Sequence, residues 1–235
     1  MRRCYPALLA LALVTSVVNA NQLSTTPLPK LNPRIQQRFD ASQSNSYTYV
    51  FMGDSITHAW EGRGRKAFEQ FFGDQTVLNV ATSGDRTENT IWVIDNVNWG
   101  VVNAKVAMLM IGTNNTGHRP EDKESPEDTY DGIKVILDKM KEKTPDTKIL
   151  LLAIFPRGAT DTDPRRIRND KVNALIANLA DNERVFFMDI NQQLLEPDGV
   201  TLSKEIMPDL LHPNARGYEI WGAAVKDKLA QLAGK

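Results

Sequence analysis

The amino-acid sequence predicts an α/β domain, a three-layer α/β/α sandwich with a five-stranded parallel sheet between two layers of helices. Two observations support this prediction. Short apolar runs alternate along the chain with longer amphipathic stretches, which is the order typical of parallel strands joined by crossover helices. One of these runs, residues 106–111, is apolar throughout, as expected for a central strand that is buried on both faces.

The predicted elements follow from the spacing of apolar residues. Runs of β-favouring residues predict strands, whereas apolar residues three and four positions apart predict helices. Ser125 and Asp128 form a capping-box pattern at the start of the strongest helix, with Pro126 in its first turn. The predicted strands cover residues 47–52, 76–80, 106–111, 148–154 and 185–189. The predicted helices cover residues 65–72, 87–96, 126–142, 165–179 and 214–232.

The first 20 residues have the features of a secretory signal peptide. Two arginines open the segment, residues 7–18 are apolar, and small residues precede a cleavage position after Ala20. The apolar stretch is too short for a transmembrane helix, so cleavage is favoured over an uncleaved N-terminal anchor. We therefore expect a secreted or periplasmic protein without stable membrane insertion.

The rest of the chain consists of an arm and one domain. Residues 21–46 are polar and contain prolines, which predicts a loose arm with a short helix near residues 32–42. Residues 47–235 carry the alternating pattern without an internal repeat or a linker. A chain of 235 residues is long enough for one α/β domain with a full core.

Composition argues against several classes of function. The formal net charge is −1 and no basic face with interleaved aromatic residues is evident, so we expect no nucleic-acid partner. The sole cysteine, Cys4, lies in the predicted signal, so the mature domain has neither a disulfide nor a thiol nucleophile. Histidines and cysteines lack metal-ligand spacing and no phosphate-binding glycine loop is present, so we expect no metal and no cofactor.

The segment Gly53-Asp54-Ser55 follows the first predicted strand directly. Ligands of open α/β sheets bind at the carboxyl ends of the strands, so Ser55 is a candidate nucleophile at that edge. Glycine permits the sharp turn that such a position needs. Gly, Asp and Ser are also common turn residues, so this segment by itself leaves a purely structural interpretation open.

A serine nucleophile needs a base, and His212 is the best candidate among the three histidines of the chain. Asp209 precedes His212 by three residues, a spacing that places both side chains on one side of a turn. The carboxylate could then orient the imidazole and stabilise its charged form. The alternative is a capping aspartate beside a structural histidine. We expect His58 and His118 to be packing or surface residues. If the segment after Ser55 is helical, His58 could alternatively reach the mouth of the site.

Gly84 and Asn114 are candidates for an oxyanion hole. They follow the second and third predicted strands, so they are expected at the same sheet edge as Ser55. The backbone N–H groups of Ser55 and Gly84 and the side-chain amide of Asn114 could donate to a developing negative charge. Each of the two residues taken alone could equally be an ordinary turn residue.

Together these residues resemble the four marker residues of the SGNH (GDSL-type) esterase/lipase family, which map onto Ser55, Gly84, Asn114 and His212. The resemblance covers roughly residues 47–230. Its motifs are most similar to the catalytic subunits of platelet-activating-factor acetylhydrolase and their secreted bacterial relatives. The resemblance implies a flavodoxin-like strand order, 2-1-3-4-5, and a Ser55-Asp209-His212 triad.

The resemblance further implies ester hydrolysis, with acetyl as the first expectation for the acyl group because Ile56 and Leu211 flank the triad. Trp60 is a candidate for the mouth of the site, where an aromatic ring would suit an acetylated carbohydrate. The remaining candidates for substrate contact are Asp54, Arg86 and Arg157. The sequence alone does not identify the alcohol half of the ester.

Two other functions stay open at this point. A lipid-directed acylhydrolase, such as a lysophospholipase or a platelet-activating-factor acetylhydrolase, would share the triad but require a long apolar groove. A non-catalytic glycan-binding module would keep the fold without needing Ser55, Asp209 and His212 together. The expected partner is a small-molecule or polysaccharide ester, and a homodimer is possible.

Overall fold

The computed structural model describes residues 22–235, and the predicted signal peptide lies outside them. Short 3₁₀ segments occur at Ala59–Glu61, Ala177–Leu179 and Asn191–Leu194. The strands are β1 (Tyr49–Gly53), β2 (Val77–Asn79), β3 (Val106–Met110), β4 (Lys148–Leu152) and β5 (Val185–Met188). The helices are α1 (Gln22–Thr25), α2 (Pro33–Ser42), α3 (Ser55–His58), α4 (Arg65–Phe72), α5 (Thr87–Asn96), α6 (Trp99–Val102), α7 (Thr113–His118), α8 (Pro126–Lys143), α9 (Pro164–Ile176) and α10 (Ala215–Leu232).

The five strands form one parallel sheet with the order β2-β1-β3-β4-β5. This confirms the predicted sheet and the strand order that the family resemblance implies. β3 lies at the centre and is buried along its whole length, in agreement with its uniformly apolar sequence. Gly53 at the end of β1 pairs with Met110 at the end of β3, so both strands stop at one edge.

Two apolar layers cover the sheet because successive strand residues point to opposite faces. In β1, Val50 and Met52 join the layer formed with helices α2, α5, α8 and α9. Tyr49 and Phe51 point the other way and pack against α4 and α10. The result is the predicted three-layer arrangement. The candidate functional residues lie outside these layers, in the loops at the sheet edge.

Trp60 lies in the second of these layers rather than at the mouth of a site. Its side chain is fully buried, and its ring centroid is 4.8 Å from those of both Tyr218 and Trp221 on α10. The expectation that Trp60 lines the substrate entrance is therefore wrong. Large aromatic side chains gain more from burial in such a cluster than from exposure in a polar loop.

Local capping explains several of the predicted helix boundaries. Ser125 and Asp128 cap the start of α8 reciprocally, as the sequence predicts: Ser125 N donates to Asp128 Oδ2 at 2.8 Å, and Asp128 N donates to Ser125 Oγ at 3.1 Å. Asn32 caps α2 by accepting from Ile35 N at 3.0 Å. None of the helices within residues 22–235 is long and apolar enough to cross a membrane.

The segment before α2 is attached to the domain along its length. Ser24 is buried, its hydroxyl donates to Glu124 Oε1 at 2.6 Å, and its carbonyl accepts from Thr87 Oγ1 at 2.9 Å. Leu28 N donates to Glu88 O at 3.0 Å. The prediction of a loose arm is wrong for these residues, because hydrogen bonds to α5 and to the loop before α8 hold them in place.

Candidate active site

The candidate site lies at the carboxyl edge of β1, β2 and β3. Ser55 opens α3 directly after β1, Gly84 lies in the loop after β2, and Asn114 is in the first turn of α7 after β3. Asp209 and His212 lie in the loop that precedes α10. The fold therefore brings to one edge residues from four separate parts of the chain, as is usual for ligand sites in open parallel sheets.

The turn between β1 and α3 depends on Gly53. Its φ of 155° lies outside the range that residues with a Cβ normally adopt. A Cβ here would collide with the Met110 carbonyl on β3 and with the Thr57 side chain. The close approach of these strands and α3 thus requires glycine, and it places the Ser55 hydroxyl at the sheet edge.

Ser55, His212 and Asp209 form a continuous hydrogen-bonded chain. His212 Nδ1 lies 2.7 Å from Asp209 Oδ2, and Ser55 Oγ lies 2.9 Å from His212 Nε2. Because the acidic oxygen accepts the Nδ1–H proton, Nε2 is left to accept from the Ser55 hydroxyl. This is the arrangement in which an imidazole can act as a general base toward a serine.

Hydrogen bonds keep Asp209, an exposed residue, ionised. Partial burial favours the neutral carboxyl, but hydrogen bonds from the His212 backbone and imidazole outweigh this effect and lower the pKa of Asp209. The His212 N–H donates to Asp209 Oδ1 at 2.7 Å, and Leu211 N donates to the same oxygen at 3.1 Å. An ionised carboxylate at this position stabilises an imidazolium ion.

The loop that carries Asp209 and His212 holds Leu210 in a left-handed conformation, with φ at 59°. Such a conformation is unfavourable for a residue with a bulky side chain and requires support from its surroundings. Leu210 N donates to Met207 O at 2.9 Å, and Leu210 O accepts from Gly158 N at 3.0 Å. These bonds fix the turn that brings the carboxylate and the imidazole together.

The three candidate oxyanion donors also lie at this edge. Ser55 is the first residue of α3, so its N–H has no partner within the helix. Gly84 has a φ of 77°, a left-handed conformation that turns the loop after β2. Asn114 Nδ2 donates one proton to Asp85 O at 2.8 Å, which fixes the amide and leaves its second proton for another acceptor.

Asp54 lies beneath the nucleophile rather than in contact with substrate. Its side chain is 1% exposed, and Oδ1 accepts from Ile56 N at 3.0 Å at the start of α3. Burial, together with the charge of Asp85, raises the pKa of Asp54 to about 7. Ile56 is likewise 1% exposed, so the expected substrate contacts of both residues are inconsistent with their burial.

Replacing Asp54 by asparagine should remove a pH dependence of stability. A carboxyl whose folded pKa is raised stabilises the protein below its unfolded pKa, and this contribution is lost as the pH rises toward about 7. The unfolding free energy of Asp54→Asn relative to wild type should thus increase from pH 4 to pH 8, by up to about 4 kcal/mol. Urea denaturation across this range measures it, with the exposed Asp146→Asn as control. A constant difference would contradict the account.

The other expected substrate contacts have different outcomes. Arg157 is 4% exposed and its Nη1 donates to Thr113 O at 2.8 Å, so it supports the start of α7 from below. Arg86 is partly exposed, and its Nη1 lies 3.4 Å from Glu88 Oε1. Leu211 is partly exposed beside the triad. Arg86 and Leu211 therefore remain accessible to a substrate, whereas Arg157 is part of the scaffold.

A depression of about 390 Å³ borders Ser55. It is lined on one side by His58 and Ser83, whose Nδ1 and Oγ atoms are 2.9 Å apart. Glu61 and Arg63 line it as well, and burial and the nearby arginines lower the pKa of His58. The sequence pattern did not identify Glu61 and Arg63 as part of this surface, since neither belongs to a recognisable motif.

Comparison with known proteins places the chain in a family. The GDSL-like lipase/acylhydrolase family matches residues 51–220. The sequence is 31% identical to platelet-activating factor acetylhydrolase IB subunit alpha1 of Bos taurus over 186 residues, which cover 78% of this chain and 76% of the relative. The Homo sapiens subunit of that name is equally similar, with 31% identity and the same coverage.

Two solved structures share the fold at lower identity. A GDSL-like lipase from Bacteroides thetaiotaomicron superposes with a TM-score of 0.65 at 19% identity, covering 84% of this chain and 96% of that one. Axe2, an acetylxylan esterase from Geobacillus stearothermophilus, superposes with a TM-score of 0.59 at 15% identity, covering 82% and 96%. The family match over most of the domain shows that this chain belongs to the GDSL-like lipase/acylhydrolase (SGNH) family of carboxylic ester hydrolases.

Proposed function

We propose that this protein is a secreted serine esterase that removes short acyl groups, above all acetyl, from O-acetylated carbohydrates. The observation that carries the proposal is the hydrogen-bonded chain from Ser55 through His212 to Asp209, with distances of 2.9 and 2.7 Å. A serine hydroxyl on an imidazole that is itself held by a carboxylate is poised for acyl transfer.

In the proposed first step, the Ser55 oxygen attacks the ester carbonyl while its proton passes to His212 Nε2. The carbonyl oxygen gains negative charge, and the N–H groups of Ser55 and Gly84 and the free amide proton of Asn114 stabilise it. Collapse of the tetrahedral intermediate breaks the bond to the alcohol oxygen. His212 then returns the proton to this leaving oxygen, and an acyl-serine ester remains on the protein.

In the second step, water replaces the alcohol. His212 accepts a proton from the water, whose oxygen attacks the acyl-serine carbonyl, and the same donors hold the new oxyanion. Breakage of the bond to Ser55 Oγ releases the carboxylic acid and restores the hydroxyl with the proton from His212. Asp209 stabilises the imidazolium in both steps and is not itself protonated.

The depression beside Ser55 supports a polar alcohol and a short acyl group. Its lining contains the charged side chains of Glu61 and Arg63 and the polar groups of His58 and Ser83. Glu61 is ion-paired with Arg34 and Arg38, and His58 is hydrogen-bonded to Ser83. This side of the depression is therefore a charged, hydrogen-bonded surface, against which a long aliphatic chain gains little. Sugar hydroxyls, in contrast, can donate to the carboxylate and accept from the guanidinium.

Relatives support the two halves of the substrate separately. The similar subunits from Bos taurus and Homo sapiens are named platelet-activating factor acetylhydrolases, which supports acetyl as the acyl group. Axe2, which shares the fold, is named an acetylxylan esterase. The first of these similarities also favours a second candidate function, hydrolysis of an acetylated lipid, at the same triad.

We propose secretion on the basis of residues 1–20, whose charged start, apolar stretch and small residues at 18–20 fit a signal peptide. The mature chain would begin after Ala20. N-terminal sequencing of the protein recovered outside the cytoplasm tests this proposal. A recovered chain that starts at Met1 would contradict it.

Acyl preference is tested with p-nitrophenyl acetate, butyrate and octanoate, each assayed with wild type and with Ser55→Ala. We expect the highest kcat/KM for acetate and a loss of at least about tenfold for octanoate, since each misplaced methylene is worth about 1–3 kcal/mol. Acetylated xylo-oligosaccharides and an acetylated phospholipid then separate the two alcohol classes. Faster hydrolysis of octanoate, or of the phospholipid, would contradict the carbohydrate assignment.

A further inference from the structure

Lys30, from the segment that precedes the family-matched region, holds the loop that carries Gly84. Its Nζ donates to Ser83 O at 2.7 Å and to Asp85 Oδ1 at 2.9 Å, so it bonds the residues on both sides of Gly84. A Cβ on Gly84 would lie 3.3 Å from Lys30 Nζ, which shows how closely the ammonium approaches this loop. The family match starts only at residue 51.

The same loop is bonded to the second candidate oxyanion donor. Asp85 O accepts from Asn114 Nδ2 at 2.8 Å, within the buried part of the site. Lys30 therefore holds Asp85 from one side, while Asp85 holds the Asn114 amide from the other. Gly84 N–H and the Asn114 amide are in this way linked through a single loop to which Lys30 makes two hydrogen bonds.

Lys30 is itself held at both ends of a short stretch. On its N-terminal side, Leu28 O accepts from Asn89 Nδ2 at 3.0 Å. On its C-terminal side, Arg34 Nε donates to Ala81 O at 3.1 Å and Arg34 Nη2 donates to Asn79 O at 3.0 Å. These anchors lie on either side of the Gly84 loop, so the lysine backbone is positioned before any substrate binds.

Burial makes the Lys30–Asp85 contact important for the loop. The Asp85 side chain is 3% exposed, whereas that of Lys30 is 38% exposed. Burial raises the pKa of Asp85 to about 6, the Lys30 ammonium opposes this rise, and Glu88 adds to it. The Asp54 carboxyl also interacts with Asp85. Without Lys30, an ionised Asp85 would be buried among acidic groups and unpaired.

We propose that Lys30 is a positioning residue that aligns the oxyanion donors of Gly84 and Asn114 through its contacts with Ser83 and Asp85. This inference rests on the proposed function, because its kinetic consequence requires acyl transfer at Ser55. It assigns a role in the reaction to the segment before α2, for which the polar sequence predicts a loose arm.

The test compares Lys30→Met, Lys30→Arg and the double variant Lys30→Met/Asp85→Asn with wild type on p-nitrophenyl acetate. Lys30→Met should lower kcat about 10- to 100-fold with little change in KM, since misaligned donors cost less than the about 10²- to 10³-fold loss of a whole donor. Because the Lys30 ammonium holds the pKa of Asp85 down, its removal raises this pKa further above about 6. The ratio of variant to wild-type kcat should therefore fall as pH rises from 5 to 8, since Asp85 ionises and gains its ion pair only in the wild type.

The other variants test whether the unpaired Asp85 carboxyl causes the loss of kcat. Lys30→Arg keeps a cation at the loop and should retain most of the activity. Lys30→Met/Asp85→Asn removes the unpaired carboxyl, so part of kcat should return and the extra pH dependence should disappear. Lys139→Met breaks an exposed contact with Asp95, 2.8 Å long, and serves as the matched control with unchanged kinetics.

Amide hydrogen exchange of residues 82–86 gives a readout that does not need activity. Exchange should be faster in Lys30→Met than in wild type and unaltered in Lys139→Met. Wild-type exchange in Lys30→Met, or wild-type kcat and pH profile, would overturn the inference. Failure of the proposed function is a separate result, namely wild-type ester hydrolysis that is absent or independent of Ser55.

Discussion

Replacing Ser55 by alanine should lower kcat for p-nitrophenyl acetate by about 10⁴- to 10⁶-fold, because the variant lacks the oxygen that forms the acyl intermediate. The fold should be unaffected, since the Ser55 hydroxyl bonds His212 Nε2 and the backbone of α3 is capped by Asp54. Stopped-flow or steady-state release of p-nitrophenolate measures the loss, with circular dichroism as a check on folding.

Ser83→Ala is the matched control for this experiment. Its hydroxyl lies at the same sheet edge, 2.9 Å from His58 Nδ1, but is not bonded to His212. We expect Ser83→Ala to change kcat by less than about tenfold, the range of one ordinary hydrogen bond. Equal losses in both variants, or activity retained in Ser55→Ala, would contradict the assignment of the nucleophile.

His212→Ala should reduce kcat nearly as much as Ser55→Ala, by about 10⁴- to 10⁶-fold, because a serine hydroxyl without its base is a weak nucleophile. The effects should not add: Ser55→Ala/His212→Ala should be no slower than Ser55→Ala alone, since the two residues act as a unit. Asp209→Asn should cost about 10⁴-fold through loss of the correct tautomer. Rates of p-nitrophenyl acetate hydrolysis measure all three variants.

His118→Ala provides the control for removal of an imidazole. His118 is exposed at the end of α7, so the kinetics of His118→Ala should match those of wild type. Additive losses in the double variant would show that His212 acts independently of Ser55. Such a result would contradict the hydrogen-bonded chain as the catalytic unit.

Much of the fold can be predicted because its signals are local. The capping residues Ser125 and Asp128, the uniformly apolar run of β3 and the periodic apolar stripes each lie within one segment of sequence. Strand order is less local, yet the family resemblance supplies it. Because the parallel strands end at one sheet edge, Ser55, Gly84 and Asn114 could be expected to lie together.

Features that depend on distant residues were missed. Trp60 is buried by Tyr218 and Trp221, more than 150 residues further along the chain, and no local pattern distinguishes its short 3₁₀ segment from an exposed loop. The contact of Lys30 could not be predicted for the same reason, since its partner Asp85 becomes a neighbour only after folding. Polar composition indicates an exposed segment but not the hydrogen bonds that attach it.

The loop that carries Asp209 and His212 shows a related limit of prediction from sequence. The spacing of Asp209 and His212 predicts that they meet, and the structure places their side chains 2.7 Å apart. The left-handed conformation of Leu210 between them could not be expected, because bulky residues disfavour it. Hydrogen bonds with Met207 and Gly158 and apolar packing of the Leu210 side chain, all supplied by the surrounding fold, support it.

The most direct test of the central claim is covalent labelling of the protein with an alkyl fluorophosphonate, followed by mass spectrometry of the intact chain and its peptides. We expect one adduct per chain on the peptide that contains Ser55. We also expect little labelling of His212→Ala, because the base activates the serine. Absence of an adduct from the wild-type protein, or an adduct on a different residue, would contradict a serine esterase that works through Ser55.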